Sequence, residues 1–133
     1  MYLVDSNVWL ERLLDQEKSK EVGRFLSGVA SDQLFITDFA FHSIAVIMDR
    51  LKQIDALLQF VEDVFVDGSV SVIHLSPEDT RYIAHNMTQY NMDFDDAYQY
   101  AAAERYNLVI ISFDSDFDQT ALGRKCPEEV LRA

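Results

Sequence analysis

Aspartates recur in this chain where apolar runs stop. Asp5 ends "YLV", Asp38 follows "LFIT", Asp95 and Asp96 open an Ala-rich stretch, and Asp114, Asp116 and Asp118 follow "LVIISF". A carboxylate at the end of a buried strand must be paired, protonated or bound to a cation. If the strands ending near Val4 and Ile111 are neighbours, Asp5 and Asp114 emerge side by side. Carboxylates so gathered raise one another's pKa by like-charge repulsion, and a divalent cation removes that cost. Oxygen ligands favour Mg²⁺ or Mn²⁺, and no Cys/His spacing suggests zinc. Helix capping is the other use for an aspartate at such a place. It accounts for Asp38, Asp95, Asp114 and Asp116 taken singly. Asp5, at a strand end, is harder to explain that way.

The surrounding pattern says what must position these groups. Tyr2–Val4 reads as a short buried strand, followed by a helix over 7–14 with Ser6 or Asn7 as its cap. Val22, Phe25, Leu26 and Val29 space a helix over 18–30. Leu34 to Ile36 reads as a second strand. Thr37 or Asp38 caps a helix whose apolar stripe is Phe41, Ile44, Ala45, Met48 and Leu51. The pattern repeats to Phe65, and Gly68 permits a turn. Val70 to Leu75 alternates like a strand. Ser76, Pro77 and Asp79 form a helix-start signature. "DFDDAYQYAAAERYN" reads as a helix stopped by Asn107, and Leu108 to Ile111 as a buried strand. "DSDFDQTAL" reads as the start of a last helix, and Lys125-Cys126 as a short edge strand. Strands that are apolar throughout and alternate with helices predict an α/β fold. Its form is a three-layer α/β/α sandwich around a mainly parallel sheet. Sites in such sheets lie beyond the carboxyl ends of strands.

The totals narrow the class. The 133 residues suit one domain spanning 1–133. No apolar stretch approaches the ~20 residues of a membrane span, and no secretory signal is visible at the start. The one cysteine, Cys126, has no partner in the chain, which points to a reducing, cytoplasmic setting. With 11 Lys and Arg against 23 Asp and Glu, the formal charge is −12. A bare surface of that sign repels nucleic acid and attracts cations or a basic partner segment.

Three stretches carry a family resemblance: "LVDSNVWLE", "DDAYQYAAAERYNLVIISFDSDF" and the final "CPEEVL". Together they resemble the PIN-domain ribonucleases, in particular the small toxins of VapBC-type toxin–antitoxin pairs. The resemblance implies a PIN-like fold and a metal-dependent endoribonuclease using Mg²⁺ or Mn²⁺. It implies Asp5, Asp96 and Asp114 as catalytic metal ligands, with Asp116 beside them. Ser6 or Asn7 matches the small polar residue after the first Asp, and Ser112 takes the Thr place of the Thr-x-Asp-x-Asp-Phe motif. RNA as substrate, an antitoxin with a basic tail and a homodimer follow as expected partners, with no membrane.

One departure stands out. The family carries a Glu on the helix after the second strand, where this chain has Ser43. Asp38, five residues earlier, reaches the site only if the crevice is narrow. Ser43 keeps open a second reading, a PIN-like domain with weakened catalysis that serves as a binding or regulatory module. Phosphotransfer folds that place an Asp after strand one want a second Asp two residues on, and Asn7 stands there.

Overall fold

The computed structural model describes residues 1–132. Four strands, β1 (Tyr2–Val4), β2 (Leu34–Thr37), β3 (Ser71–Ile73) and β4 (Val109–Ile111), form a sheet in the order β3-β2-β1-β4. Every pairing is parallel, with Tyr2 opposite Leu34 and Val109, and Phe35 opposite Ser71. A parallel bridge from Ile111 to Lys125 lengthens the β4 edge, so the expected edge strand is a single bridge.

Helices α1 (Ser6–Leu13), α2 (Ser19–Gly28), α3 (Asp38–Arg50) and α4 (Ile54–Val61) precede β3. Helices α5 (Thr80–Tyr90) and α6 (Phe94–Tyr106) lie between β3 and β4, and α7 (Pro127–Arg132) follows. Successive strand residues face opposite sides of a sheet, and the core divides accordingly. Val4, Leu34, Ile36 and Ile111 pack with Val8, Trp9, Phe25 and Ile44 on one face. Leu3, Ile73 and Ile110 pack with Ile83, Tyr100 and the alanines of α6 on the other. The sheet is thus covered on both faces, the three-layer arrangement that continuous apolar strands require.

Local signals are largely realised. Ser76 and Asp79 form a reciprocal capping box with Pro77 between them, though the first turn is 3₁₀ and α5 begins at Thr80. Asn91 and Asn107 end α5 and α6 in the left-handed conformation. Gly68 ends a widened turn over Glu62–Val66, where an added Cβ would meet the Val64 carbonyl oxygen at 2.5 Å.

Two expectations need correction. α1 is capped by Asp5, whose side chain accepts from Ser6 N, not by Ser6 or Asn7. The stretch after Asp114 forms only a 3₁₀ turn over Ser115–Gln119, not a helix. Thr120 stops it: its hydroxyl donates to the Phe117 carbonyl and accepts from Gly123 N, taking up groups a helix would need.

Candidate active site

The chain steps from β1 to β2 to β3 on one side and returns beyond β1 for β4. That reversal opens a crevice at the carboxyl ends of β1 and β4, where open α/β sheets bind ligands. A pocket of about 280 Å³ occupies it. Asp5, Ser6 and Asn7 line it from the end of β1, and Phe39, Ala40 and Ser43 from α3. Asp93, Asp95, Asp96 and Gln99 line it from the start of α6, and Asp114 and Asp116 from the loop after β4.

Asp5 sits at the inner end of this pocket, 7% exposed. Its Oδ1 accepts from Ser6 N at 2.8 Å and from Gln99 Nε2 at 3.1 Å. Its Oδ2 accepts from Ser112 Oγ at 2.8 Å and lies 3.5 Å from Asn7 Nδ2. Every partner donates, which is the pattern an ionised carboxylate asks for. Burial nevertheless pushes the Asp5 pKa up, with Asp114 adding to it, against the pull of those hydrogen bonds.

A small polar web joins the two strand ends. Asn7 Nδ2 donates to Ser112 Oγ at 3.1 Å, and Asn7 Oδ1 accepts from Phe113 N at 3.2 Å. Ser112 Oγ also accepts from Asp114 N at 3.0 Å, and Asp114 Oδ1 accepts from Asp116 N at 2.8 Å. The serine and asparagine therefore set the path of the loop that carries the later aspartates.

One oxygen each from Asp96, Asp114 and Asp116 lies within 4.8 Å of the others. Asp96, in the first turn of α6, has its pKa raised to about 7, by partial burial first and then by Asp93, Asp114, Asp5 and Asp116. An all-carboxylate donor set of this spacing, with the Asp96 pKa raised by its neighbours and burial, suits a hard divalent cation.

The pocket gathers Asp5, Ser6, Asn7, Ser43, Asp96, Asp114 and Asp116, and Ser112 stands behind them. Asp38 is not among them. It is exposed and accepts from Tyr98 Oη at 2.8 Å beside a different hollow. Asp118 turns away to pair with Arg124 at 3.0 Å. Four lining residues were not anticipated: Phe39, Ala40, Asp93 and Gln99. The signal for Gln99 was its place one helical turn after Asp96, a lone amide in a run of buried alanines and tyrosines.

Residues 2–122 match the family model for the PIN domain. The chain belongs to the PIN-domain family. No curated protein matches it by sequence. Solved PIN-like structures match across nearly the whole chain at low identity. A toxin–antitoxin complex from Klebsiella pneumoniae shares 16% identity and a TM-score of 0.76, covering 96% of this chain and 98% of that one. VapC20 of Mycobacterium tuberculosis, described as a toxin cleaving the sarcin–ricin loop, shares 13% identity and a TM-score of 0.78, covering 92% and 96%. FitAcB from Neisseria gonorrhoeae shares 17% identity and a TM-score of 0.74, covering 96% and 99%. At such identities the likeness is one of fold. In this PIN domain the α3 position expected to carry Glu is Ser43, and its side chain does line the acidic pocket.

Proposed function

We propose that this PIN domain is a metal-dependent endoribonuclease, using Mg²⁺ or Mn²⁺, and the toxin of a toxin–antitoxin pair. The observation that carries the reading is the convergence of Asp96, Asp114 and Asp116 in a pocket at the strand switch point. Family membership supports ribonuclease chemistry, and the toxin structures of the same fold support the toxin role.

In this reading Asp5, Asp96 and Asp114 would hold the cation, with Asp116 beside them. When bound, a divalent cation acidifies water and offsets charge building on phosphate oxygens. Asp96, with its pKa raised to about 7, would have to give up its proton to ligate the cation. Ser112 and Asn7 hold Asp5 and Asp114 in fixed relation, so little reorganisation is left for the reaction. Ser43 contributes a hydroxyl and no charge, leaving the site one carboxylate short of the expected family set.

The −12 charge leaves few cations for RNA. Arg105 and Arg124 are already paired with Asp79 and Asp118. A basic-tailed antitoxin would be drawn to the same acidic pocket and block it. A homodimer in the cytoplasm completes the reading. No helix among the described residues is long and apolar enough to cross a membrane.

The test is cleavage of structured and unstructured RNA by the purified chain, with Mg²⁺ or Mn²⁺ and with chelator, beside Asp96→Asn. Cleavage that needs the metal and vanishes in the variant is the expected result. Absence of cleavage on every RNA, with Mn²⁺ bound, would favour the binding-module reading that Ser43 keeps open. Cleavage equal in both proteins would mean a contaminant.

A further inference from the structure

Gln99 is 4% exposed and spans two buried groups, one at the end of β2 and one just past β1. Its Oε1 accepts from the Thr37 hydroxyl, and its Nε2 donates to Asp5 Oδ1 at 3.1 Å. With Asp5 ionised the amide has only this orientation, because a reversed Oε1 would face a carboxylate oxygen with no proton between them. Thr37 Oγ1 in turn accepts from Ala40 N at 2.9 Å, capping α3. A continuous relay therefore runs from the first turn of α3, through Thr37 and Gln99, to Asp5. Of the four donors on Asp5, two come from the next two residues and one from the end of β4; Gln99 alone reaches it from α6. Gln99 follows Asp96 by one helical turn, so the same turn of α6 fixes Asp5 and presents Asp96.

We propose that Gln99 is a positioning residue of this site, holding the Asp5 carboxylate and coupling it through Thr37 to α3. The proposal rests on the metal-dependent reading above. It also says how α3 contributes without a carboxylate. Ser43 brings no charge and Asp38 points elsewhere, so α3 acts on the pocket through a hydroxyl and an amide.

The test measures Mn²⁺ affinity of the whole chain by electron paramagnetic resonance of the free ion, with kcat and KM on RNA alongside. Gln99→Met keeps the volume and removes both hydrogen bonds, and it should weaken Mn²⁺ binding about tenfold, the usual scale for a residue that orients a ligand. Thr37→Val should weaken it in the same direction, while Thr37→Ser, which keeps the hydroxyl, should stay within about twofold of the parent. A Gln99→Met protein that melts earlier but binds Mn²⁺ as the parent does would overturn the positioning role. If Gln99→Met does not fold, equal affinities in Thr37→Val and Thr37→Ser would overturn it. A double-mutant cycle of Asp5→Ala and Gln99→Met, by urea unfolding in chelator, separates the two readings. Should the parent bind no Mn²⁺, the metal-dependent function fails, and the cycle alone judges the link. Coupled effects sustain Gln99 as the residue that places Asp5, and additive effects refute it.

Discussion

Ser112 Oγ donates to Asp5 Oδ2 at 2.8 Å, between residues 107 positions apart in sequence. The bond closes the pocket at the junction of β1 and β4, and Ser112 also accepts from Asn7 Nδ2 and Asp114 N. Replacing Ser112 by Ala leaves a buried carboxylate and a backbone N–H each short of a partner. The expected cost is about 1–3 kcal/mol in urea unfolding. Ser112→Thr keeps the hydroxyl and its hydrogen bonds and should cost less than Ser112→Ala. Equal losses in both would mean that volume, not the hydrogen bonds, matters at this position.

Asp96→Asn should separate function from stability. It removes one member of the converging trio and should end metal-dependent cleavage. In chelator it also relieves repulsion with Asp93, Asp114, Asp5 and Asp116. Its melting temperature should therefore rise by roughly 2–4 °C, the scale of one partly solvent-screened charge. A fall in that temperature would count against burial and carboxylate repulsion as the sources of its raised pKa.

The pH dependence of stability carries the same sign. Asp96 is raised from its ordinary carboxylate range to about 7. Asp5 is shifted in the same direction by burial. Between its unfolded and its higher folded pKa, a carboxyl keeps its proton only in the folded state. That stabilisation is complete below the unfolded value and is lost as pH rises through the folded one. Stability in chelator should therefore decline from about pH 5 to about pH 7.5. Mn²⁺ should flatten the decline, and so should Asp96→Asn. Thermal melts across this range with and without Mn²⁺ give the answer, and a rising curve in chelator would contradict it.

Ser43→Glu should shift the balance between apo stability and cation binding. The side chain lines the acidic pocket from α3. A further carboxylate there should lower the melting temperature in chelator and tighten Mn²⁺ binding, by about tenfold if it reaches the cation. Unchanged Mn²⁺ affinity would mean that the α3 position lies out of reach.

Trp9 is 1% exposed with an indole N–H that has no partner among the described residues. Its ring packs edge-to-face on Phe60 at 5.5 Å. Trp9→Phe gives up volume and removes an unsatisfied buried donor, two effects that oppose each other. The net change in urea unfolding should be under about 1.5 kcal/mol, against about 3–5 kcal/mol for Trp9→Ala. A loss in Trp9→Phe as large as in Trp9→Ala would imply a partner for the indole nitrogen.

Features that depend on near neighbours and periodicity are legible along the chain. The apolar runs at 2–4 and 108–111 marked buried strands, and Asn107 marked a helix stop. The Ser76–Asp79 box and the carboxylates in the first turn of α6 were equally plain, because each depends on residues within one turn. The resemblance to PIN domains brought Asp5, Asp96, Asp114 and Asp116 forward together. The tertiary structure decided which aspartates meet. Parallel pairing of β1 with β4 brings residues more than 100 positions apart to one edge, and no local pattern encodes that register. It turned Asp38 to Tyr98 and Asp118 to Arg124. It sank Asp5 behind the converging trio and set Gln99 against it. A helical period says which face a residue shares, but what lies opposite that face is fixed only when the layers pack.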